Sequence, residues 1–459
     1  MASVSSALQR IKDDLNPFLS EQAIVSACEK AGHHWRQRQL GPVQTLHLFI
    51  LQILNYNTAM TGLRHLAKTA VNASAYCKAR MRLPLDVLQA LLVESSAAMR
   101  QTASSADALW CGLKAYLVDG SSTIAPDTAD SQKAFGQTKR QKPGCGFPLP
   151  KVLGLFDAFT GMIVQVLGFP LYTHEQSKVW MLHPLLGVGD LLVGDRGFCS
   201  FVHLAMLFSR GIHGLFRMHQ ATIVSFRPHR KHRDNYYKGK KKGKPRSRQS
   251  KPTPTSRFIR HLGKHDQIVQ WFKPGQKPKW MSQEQFAGIP QSLEVRELRF
   301  VIPSAGQRTK VVTIATTLLD SVLYPKDKIA GLYGVRWQVE THFAELKTTL
   351  KMRKVKSKTP AGVLKELTVY ALVYNLVHLV MLKAAKRQGV TPDRISFIDT
   401  VRWLISAQPG EALPDLVIIP NRPGRHEPRV VKDRHNTYKV MIRPRHQLRK
   451  ELKIKKVAA

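Results

Sequence analysis

Apolar positions in the first hundred residues recur at helical spacing, and the residues that start and stop helices fall between them. Ser20 caps a helix predicted over Glu21–Lys30, with Gly32 as its stop. Pro42 suits the first turn of a second helix running to about Asn55. Two shorter helical stretches follow, Thr61–Lys68 and Ser74–Arg82, separated by a break at Asn72. From residue 109 the period changes to that of strands. Lys114–Val118 is apolar and β-prone, Lys151–Phe156 and Met162–Leu167 flank Thr160-Gly161 as a hairpin, and Leu191–Gly194 is a short buried run. Helices are predicted over about Glu175–Leu186 and Phe201–Arg210, with a further strand at Gly214–Arg217. A strand meander followed by alternating helix and strand predicts an α/β core.

That rhythm stops between Ser225 and Arg260. Arg227–Arg233 and Lys238–Arg246 hold no large apolar residue, and Asp234 is the one acid of the whole stretch. Such a block cannot bury enough surface to fold alone and reads as a mobile arm. Strands resume at Gln267–Trp271, Leu293–Ile302 and Lys310–Ala315, an all-β segment. Pro360 then opens a long apolar helix reaching about Ala385, and the last forty or so residues are basic again. No internal repeat is present. These shifts divide the chain into five segments: 1–108, 109–220, 221–322, 323–390 and 391–459.

The length of 459 residues and an apolar content of 43% are ordinary for a globular protein with a sizeable core. The formal charge of +40 is not, and it calls for a polyanionic partner, nucleic acid before membrane. With that partner, the two short helices at 61–82 read as a helix-turn-helix offering Tyr76, Lys78, Arg80 and Arg82 to DNA, or as a plain hairpin with a solvated basic face. Five dispersed cysteines without a C-x-x-C pair argue for free thiols in a reducing cytosol and against a zinc ribbon. No signal peptide is expected, and the apolar centre of the long helix, Tyr370–Leu382, is too short and too closely flanked by charge to span a bilayer. The expected location is the cytoplasm, with the nucleoid.

The chemistry concentrates in Tyr333–Lys347. Tyr333, Arg336, Glu340 and Lys347 are spaced three, four and seven apart. On a continuous α-helix of about 100° per residue these four fall within about 60° of one another. Val339, Phe343, Leu346 and Leu350 form the adjoining buried stripe. One Glu–Lys pair on a helix is usually a weak solvated contact. The full constellation needs partner carboxylates to mean more. Two stand ready: Asp119-Gly120 follows the Lys114–Val118 strand, and Asp195-Arg196-Gly197 follows Leu191–Gly194. Each is a carboxylate at a strand end beside glycines that allow close approach, although Asp-Gly is also an ordinary turn signal.

Together Asp119, Asp195 and Glu340 resemble the DDE triad of transposases with an RNase H-like core. The Y-x2-R-x3-E-x6-K pattern of Tyr333, Arg336, Glu340 and Lys347 is similar to that of bacterial insertion-sequence transposases of insertion sequence family four. Val118–Ser122, Gln141–Phe147 and Gly194–Phe198 also resemble blocks of that family, and the likeness covers roughly residues 60 to 385. The resemblance implies an RNase H-like catalytic core interrupted by the β insertion, behind a helical N-terminal DNA-binding domain. Three convergent carboxylates repel unless cations neutralise them, and hard oxygen ligands select Mg2+ or Mn2+. Two such ions about 4 Å apart would serve phosphodiester cleavage at the element ends and attack of the freed 3′ hydroxyl on target DNA. The partners implied are double-stranded DNA, as terminal repeats and target, and a second copy of the chain in a synaptic homodimer. By the same likeness Tyr333, Arg336 and Lys347 grip phosphates near the cut, and Arg196 assists beside Asp195. Trp337 is open to base stacking or core packing. Some relatives open DNA through a hairpin and insert a Trp from the β insertion into the base stack. Here the last insertion strand carries Val311 and Val312 and no aromatic residue, so that route is not carried over. Two other readings remain: a nuclease that never joins strands, and a non-catalytic DNA-binding derivative.

Overall fold

The structure is a computed structural model and describes residues 19–36, 38–67, 71–103, 109–233, 253–301, 311–407, 411–420, 441 and 443–457. Its centre is one nine-stranded sheet. The strands are β1 Ala115–Ser122, β2 Lys151–Asp157, β3 Ile163–Phe169, β4 Leu191–Gly194, β5 His213–Arg217, β6 Arg257–Gly263, β7 Asp266–Phe272, β8 Ser292–Val301 and β9 Val311–Thr316. They lie in the order β3-β2-β1-β4-β5-β9-β8-β7-β6. The β1–β4 and β4–β5 pairs are parallel, and the remaining pairs are antiparallel.

Both faces of this sheet are covered, which is why its inner strands read as continuous apolar runs rather than alternating ones. Successive residues still part to opposite sides. Ala115, Leu117, Val152, Phe156 and Val193 join one core with the N-terminal helices and the Pro360–Gln388 helix. Tyr116, Val118, Leu153, Leu155 and Leu192 join a second core under the Phe201–Phe208 helix. Fully burying one such side chain contributes about 1.5–3 kcal/mol.

The helix caps follow the sequence. Ser20 caps Glu21–Lys30, Pro42 opens Pro42–Leu54, and Thr359 caps Pro360–Gln388, which ends on left-handed Gly389. At 29 residues that last helix is longer than the expected apolar centre and long enough to cross a membrane by length and composition. Its apolar residues are instead buried against the N-terminal helices and β3. The Glu175–Leu186 helix is one turn, Gln176–Val179, running into a 3-10 segment that holds Pro184. The basic C-terminal region contains the Phe397–Ser406 and Arg445–Val457 helices.

The N-terminal helices pack onto the core: Leu46, Phe49, Leu88 and Leu92 share one apolar cluster with Leu117, Phe156 and Tyr370. Two expectations need correction. The segment after the arm is not all-β. Its β9 pairs with β5, so the core sheet continues into it, and it carries the Gln283–Gly288 helix. The first helix of the helix-turn-helix is not formed among the described residues, where 61–67 supplies only a 3-10 turn and the four-residue Leu63–Leu66. Of the arm expected over Ser225–Arg260, residues 234–252 lie outside the described residues. Its described flanks are joined by Arg230, which donates to the Ser225 and Ser256 carbonyls and to the Ser256 hydroxyl, and β6 already begins at Arg257.

Candidate active site

The sheet register brings the two aspartates together. In the parallel β1–β4 pair the last partners are Val118 and Gly194, so Asp119 and Asp195 are the next residues on adjacent strands. Neighbouring strands lie about 4.8 Å apart. Asp195 leaves the end of β4 as expected. Asp119 does not end its strand: β1 runs on to Ser122, with Asp119 opposite Gly154 of β2. Asp119 is thereby held on one side by a ladder and opens on the other where β4 stops.

The electrostatics are those of crowded acids. Burial, above all, pushes the Asp119 carboxyl up to about 6. The Gly120 amide, which donates to Asp119 Oδ1 at 2.7 Å, and the Arg336 guanidinium pull it down, while Asp195 and Glu175 push it up. Asp195 Oδ1 is buried without a hydrogen-bond partner.

Glu175 had no signal in the sequence beyond a helix start, yet it belongs here. A Cβ on Gly120 would come within 2.4 Å of Glu175 Oε1, so the glycine gives room to this carboxylate rather than leaving an open approach. Lys151 Nζ pairs with Glu175 at 3.6 Å.

The third acidic residue comes from a helix that is not continuous. Lys326–Val335 ends, a turn follows at Arg336-Trp337, and Gln338–Ala344 runs into a π-helical turn at Glu345–Thr349. The single face expected for Tyr333, Arg336, Glu340 and Lys347 is therefore split. Arg336, 3% exposed, reaches inward: Nη1 lies 3.6 Å from Asp119 Oδ2 and Nη2 3.5 Å from Glu340 Oε1. The Glu340 side chain is 60% exposed. It opens with Asp119, Ser121, Ser122, Lys347 and Arg353 onto a cleft of about 620 Å³. Burial and Arg353 lower the Lys347 pKa, as expected of an ammonium facing another cation.

Tyr333 and Arg336, expected to grip phosphates, are both buried. Tyr333 is 1% exposed under Phe300, and burial pushes its phenol up to about 12. Neither side chain presents its polar end to the surface. Trp337 does, at 38% exposed, with the Arg336 guanidinium 4.3 Å from its ring centroid. Arg196 is exposed beside Asp195.

In the Ala73–Arg82 helix, Lys78 and Arg82 are exposed, whereas Arg80 and Tyr76 are not available to DNA. Arg80 stacks 3.6 Å from the Phe49 ring centroid and donates to Gln52 and Ser357, with Glu366 at 3.8 Å. Tyr76 donates to Gln52 from full burial.

The Transposase DDE domain family matches residues 110–376, more than half of the chain and all of the elements that carry the three acids. The chain belongs to the DDE transposases. A DDE transposase is an enzyme that cleaves DNA and transfers strands, and the family uses divalent metal ions. The transposase is 25% identical to Transposase InsG for insertion sequence element IS4 of Escherichia coli strain K12, over 79% of this chain and 77% of that one. This likeness agrees with the Y-x2-R-x3-E-x6-K pattern and places the transposase in insertion sequence family four. A solved synaptic complex of piggyBac transposase with hairpin DNA aligns over 88% of the transposase and 80% of its own chain, at 10% identity and a TM-score of 0.40. That overlap is too loose to transfer any residue role.

Proposed function

We propose that Asp119, Asp195 and Glu340 are the metal-holding acids of this transposase, set on an RNase H-like core of β1 to β5. The observation that carries the reading is the convergence of β1, β4 and the split helix, with one buried guanidinium spanning Asp119 and Glu340. The order β3-β2-β1-β4-β5, antiparallel through β1 and parallel beyond it, supports the core assignment. A cation suits this donor set, because Asp195 Oδ1 is buried without a partner and Asp119 resists ionising. Oxygen-only ligands favour Mg2+ or Mn2+, as a pair of ions. When bound, such ions lower the pKa of water or a 3′ hydroxyl and stabilise the leaving oxygen.

The residues divide the remaining work. Arg336 holds the Asp119 and Glu340 carboxylates at fixed positions and offsets their repulsion. Lys347 and Arg353, on the cleft wall, hold the phosphates flanking the scissile bond, and exposed Trp337 stacks on a base next to it. Exposed Arg196, Lys78 and Arg82 add phosphate contacts. The substrates are the element's terminal repeats and a target duplex, and the working form is a homodimer on DNA in the cytoplasm. Hydrolysis leaves a 3′ hydroxyl, which then attacks a target phosphodiester and releases the target's own 3′ oxygen.

The test is Glu340→Gln assayed on linear element-end DNA in Mg2+, with binding followed by mobility shift. Cleavage is expected to vanish while end binding stays within about threefold, since one exposed carboxylate is removed from a cationic cleft. Normal cutting by this variant refutes the assignment. Pre-cleaved ends with a 3′ hydroxyl, supplied to the parent protein, separate joining from hydrolysis alone.

A further inference from the structure

Two and five residues beyond Glu340, the same helical segment carries two members of a second set of metal-type donors. One ring nitrogen each of His342 and His378 and a carboxylate oxygen of Glu345 lie within 4.8 Å of one another. Three elements build the set. His342 and Glu345 come from the segment where the α-helix widens into its π turn, His378 from the Pro360–Gln388 helix, and the β2–β3 turn closes over both rings. A Cβ on Gly161 in that turn would meet His378 Cε1 at 2.9 Å and His342 Cε1 at 3.1 Å. Single π turns are frequent at functional sites.

The donors of the set face one another. His378 Nδ1 lies 3.2 Å from the Thr160 carbonyl, which can only accept, so Nδ1 carries a hydrogen and Nε2 is the nitrogen turned toward the set. That Nε2 faces Glu345 Oε2 at 3.7 Å. The Tyr374 hydroxyl donates to Glu345 Oε2 at 3.0 Å and lies 2.8 Å from His342 Nδ1, which is itself 3.7 Å from Glu345 Oε2. Both Nε2 atoms are buried without a partner. Two buried histidines, each with a ring nitrogen that lacks a hydrogen-bond partner, and a carboxylate are gathered in one enclosed place.

We propose that His342, Glu345 and His378 hold a divalent transition ion of the zinc class, at a site separate from Asp119, Asp195 and Glu340. Two imidazoles and one carboxylate suit Zn2+ or Co2+ rather than Mg2+. The Thr160 carbonyl fixes the His378 tautomer, as carbonyls behind ligating histidines commonly do. The Tyr374 hydroxyl stands beside the set as a further oxygen donor. The ion would tie the Glu340 segment to the long helix and the β2–β3 turn, and so set the position of the acid it follows.

The experiment is a titration of the metal-free full chain with Co2+ alone, read by visible absorption, paired with thermal melting in Zn2+. Roughly one Co2+ per chain is expected to give the intense bands of a tetrahedral nitrogen-containing site, and Zn2+ to raise the melting temperature. Both signals should persist in the Asp119→Asn, Asp195→Asn, Glu340→Gln triple variant and weaken at least ~100-fold in Glu345→Gln or His378→Gln. If the parent protein shows neither signal, the cluster holds protons only and the proposal fails. It fails equally if the signals disappear in the triple variant or survive in both His378→Gln and Glu345→Gln. Should those two variants not fold, as judged by circular dichroism, the parent and the triple variant still decide the question. Loss of DNA cleavage by Glu340→Gln is read separately and leaves this result unaffected.

Discussion

Arg336 Nη1 lies 3.6 Å from Asp119 Oδ2, an ion pair between the turn that splits the active-site helix and a strand of the sheet. The turn is what allows it. On an unbroken helix Arg336 would share the exposed face of Glu340. Instead its guanidinium is enclosed, and its second terminal nitrogen reaches Glu340. This placement supports the proposal that the pair positions carboxylates.

A buried fork that spans two carboxylates is not replaceable by a point charge. Arg336→Lys should lower end cleavage by at least ~100-fold, the scale for losing one preorganised electrostatic group. Its effect on DNA binding should stay below about threefold, because the replaced side chain does not reach the surface. Single-turnover cleavage and mobility-shift measurements on the same preparation check this. A parallel loss of binding would return Arg336 to the phosphate-gripping role.

Asp119 carries a pH signature. Its folded pKa, raised to about 6 mainly by burial, exceeds the ordinary 3.8. Between those values the folded chain binds the proton better, so this group's contribution to stability falls as pH rises from about 4 to about 6 and stays low above that. Asp119→Asn removes the ionisation and keeps an acceptor for the Gly120 amide. In metal-free buffer the variant should be more stable than the parent at pH 8, by on the order of 1–3 kcal/mol. The gap should close as pH falls to about 4. Denaturant melts across that range measure it, and an equal gap at both ends refutes the shift.

Local pattern carried the aspartates and failed for what packs around them. Asp119 and Asp195 follow apolar runs that only a doubly covered sheet produces, so their strands could be read directly. The break at Arg336-Trp337 could not, because no proline marks it and the apolar spacing of Val339, Phe343 and Leu346 continues beyond it. Gly331 and Gly334 weaken the helix just before it, and the Arg336 contact with Asp119 that accompanies it is non-local. The joining of β9 to β5 is likewise a register between distant segments, invisible to periodicity. Arg80 misled for the same reason. A basic residue on a short helix looks solvated until Glu366, far along the chain, is found beside it.

Arg80 and Lys78 should consequently separate in experiment. Arg80→Ala strips the Phe49 stack, the Gln52 and Ser357 bonds and the cation facing buried Glu366. A loss of about 3–5 kcal/mol of stability is expected, the scale for breaking a buried pair. Lys78→Ala with Arg82→Ala should change stability by about 0.5 kcal/mol or less, as exposed substitutions do. The pair should instead weaken DNA binding and make its dependence on salt shallower. Thermal melts set beside binding isotherms at several salt concentrations distinguish the two. A stable Arg80→Ala protein with weakened DNA binding would restore the original reading of this helix.

Glu175 offers the sharpest contrast between sequence and structure. Its carboxylate lies over the Gly120 backbone, counts among the charges that resist ionisation of Asp119, and is paired with Lys151. A fourth acid so placed raises the negative potential that would draw cations to the three acids proposed to hold metal, while Lys151 limits the repulsion it adds. Glu175→Gln keeps the shape and removes the charge. Cleavage at low Mg2+ should fall about tenfold to a hundredfold, the range for losing a residue that supports a metal site from behind. Raising Mg2+ should recover most of the rate, because Asp119, Asp195 and Glu340 remain. Gly120→Ala should act in the same way, since its methyl group would displace the movable carboxylate end of Glu175, and Mg2+ should again recover most of the rate. Rate against Mg2+ concentration for the parent and both variants is the measurement. If Glu175→Gln loses activity that Mg2+ cannot restore, Glu175 acts in the chemical step itself and not through the cation's affinity.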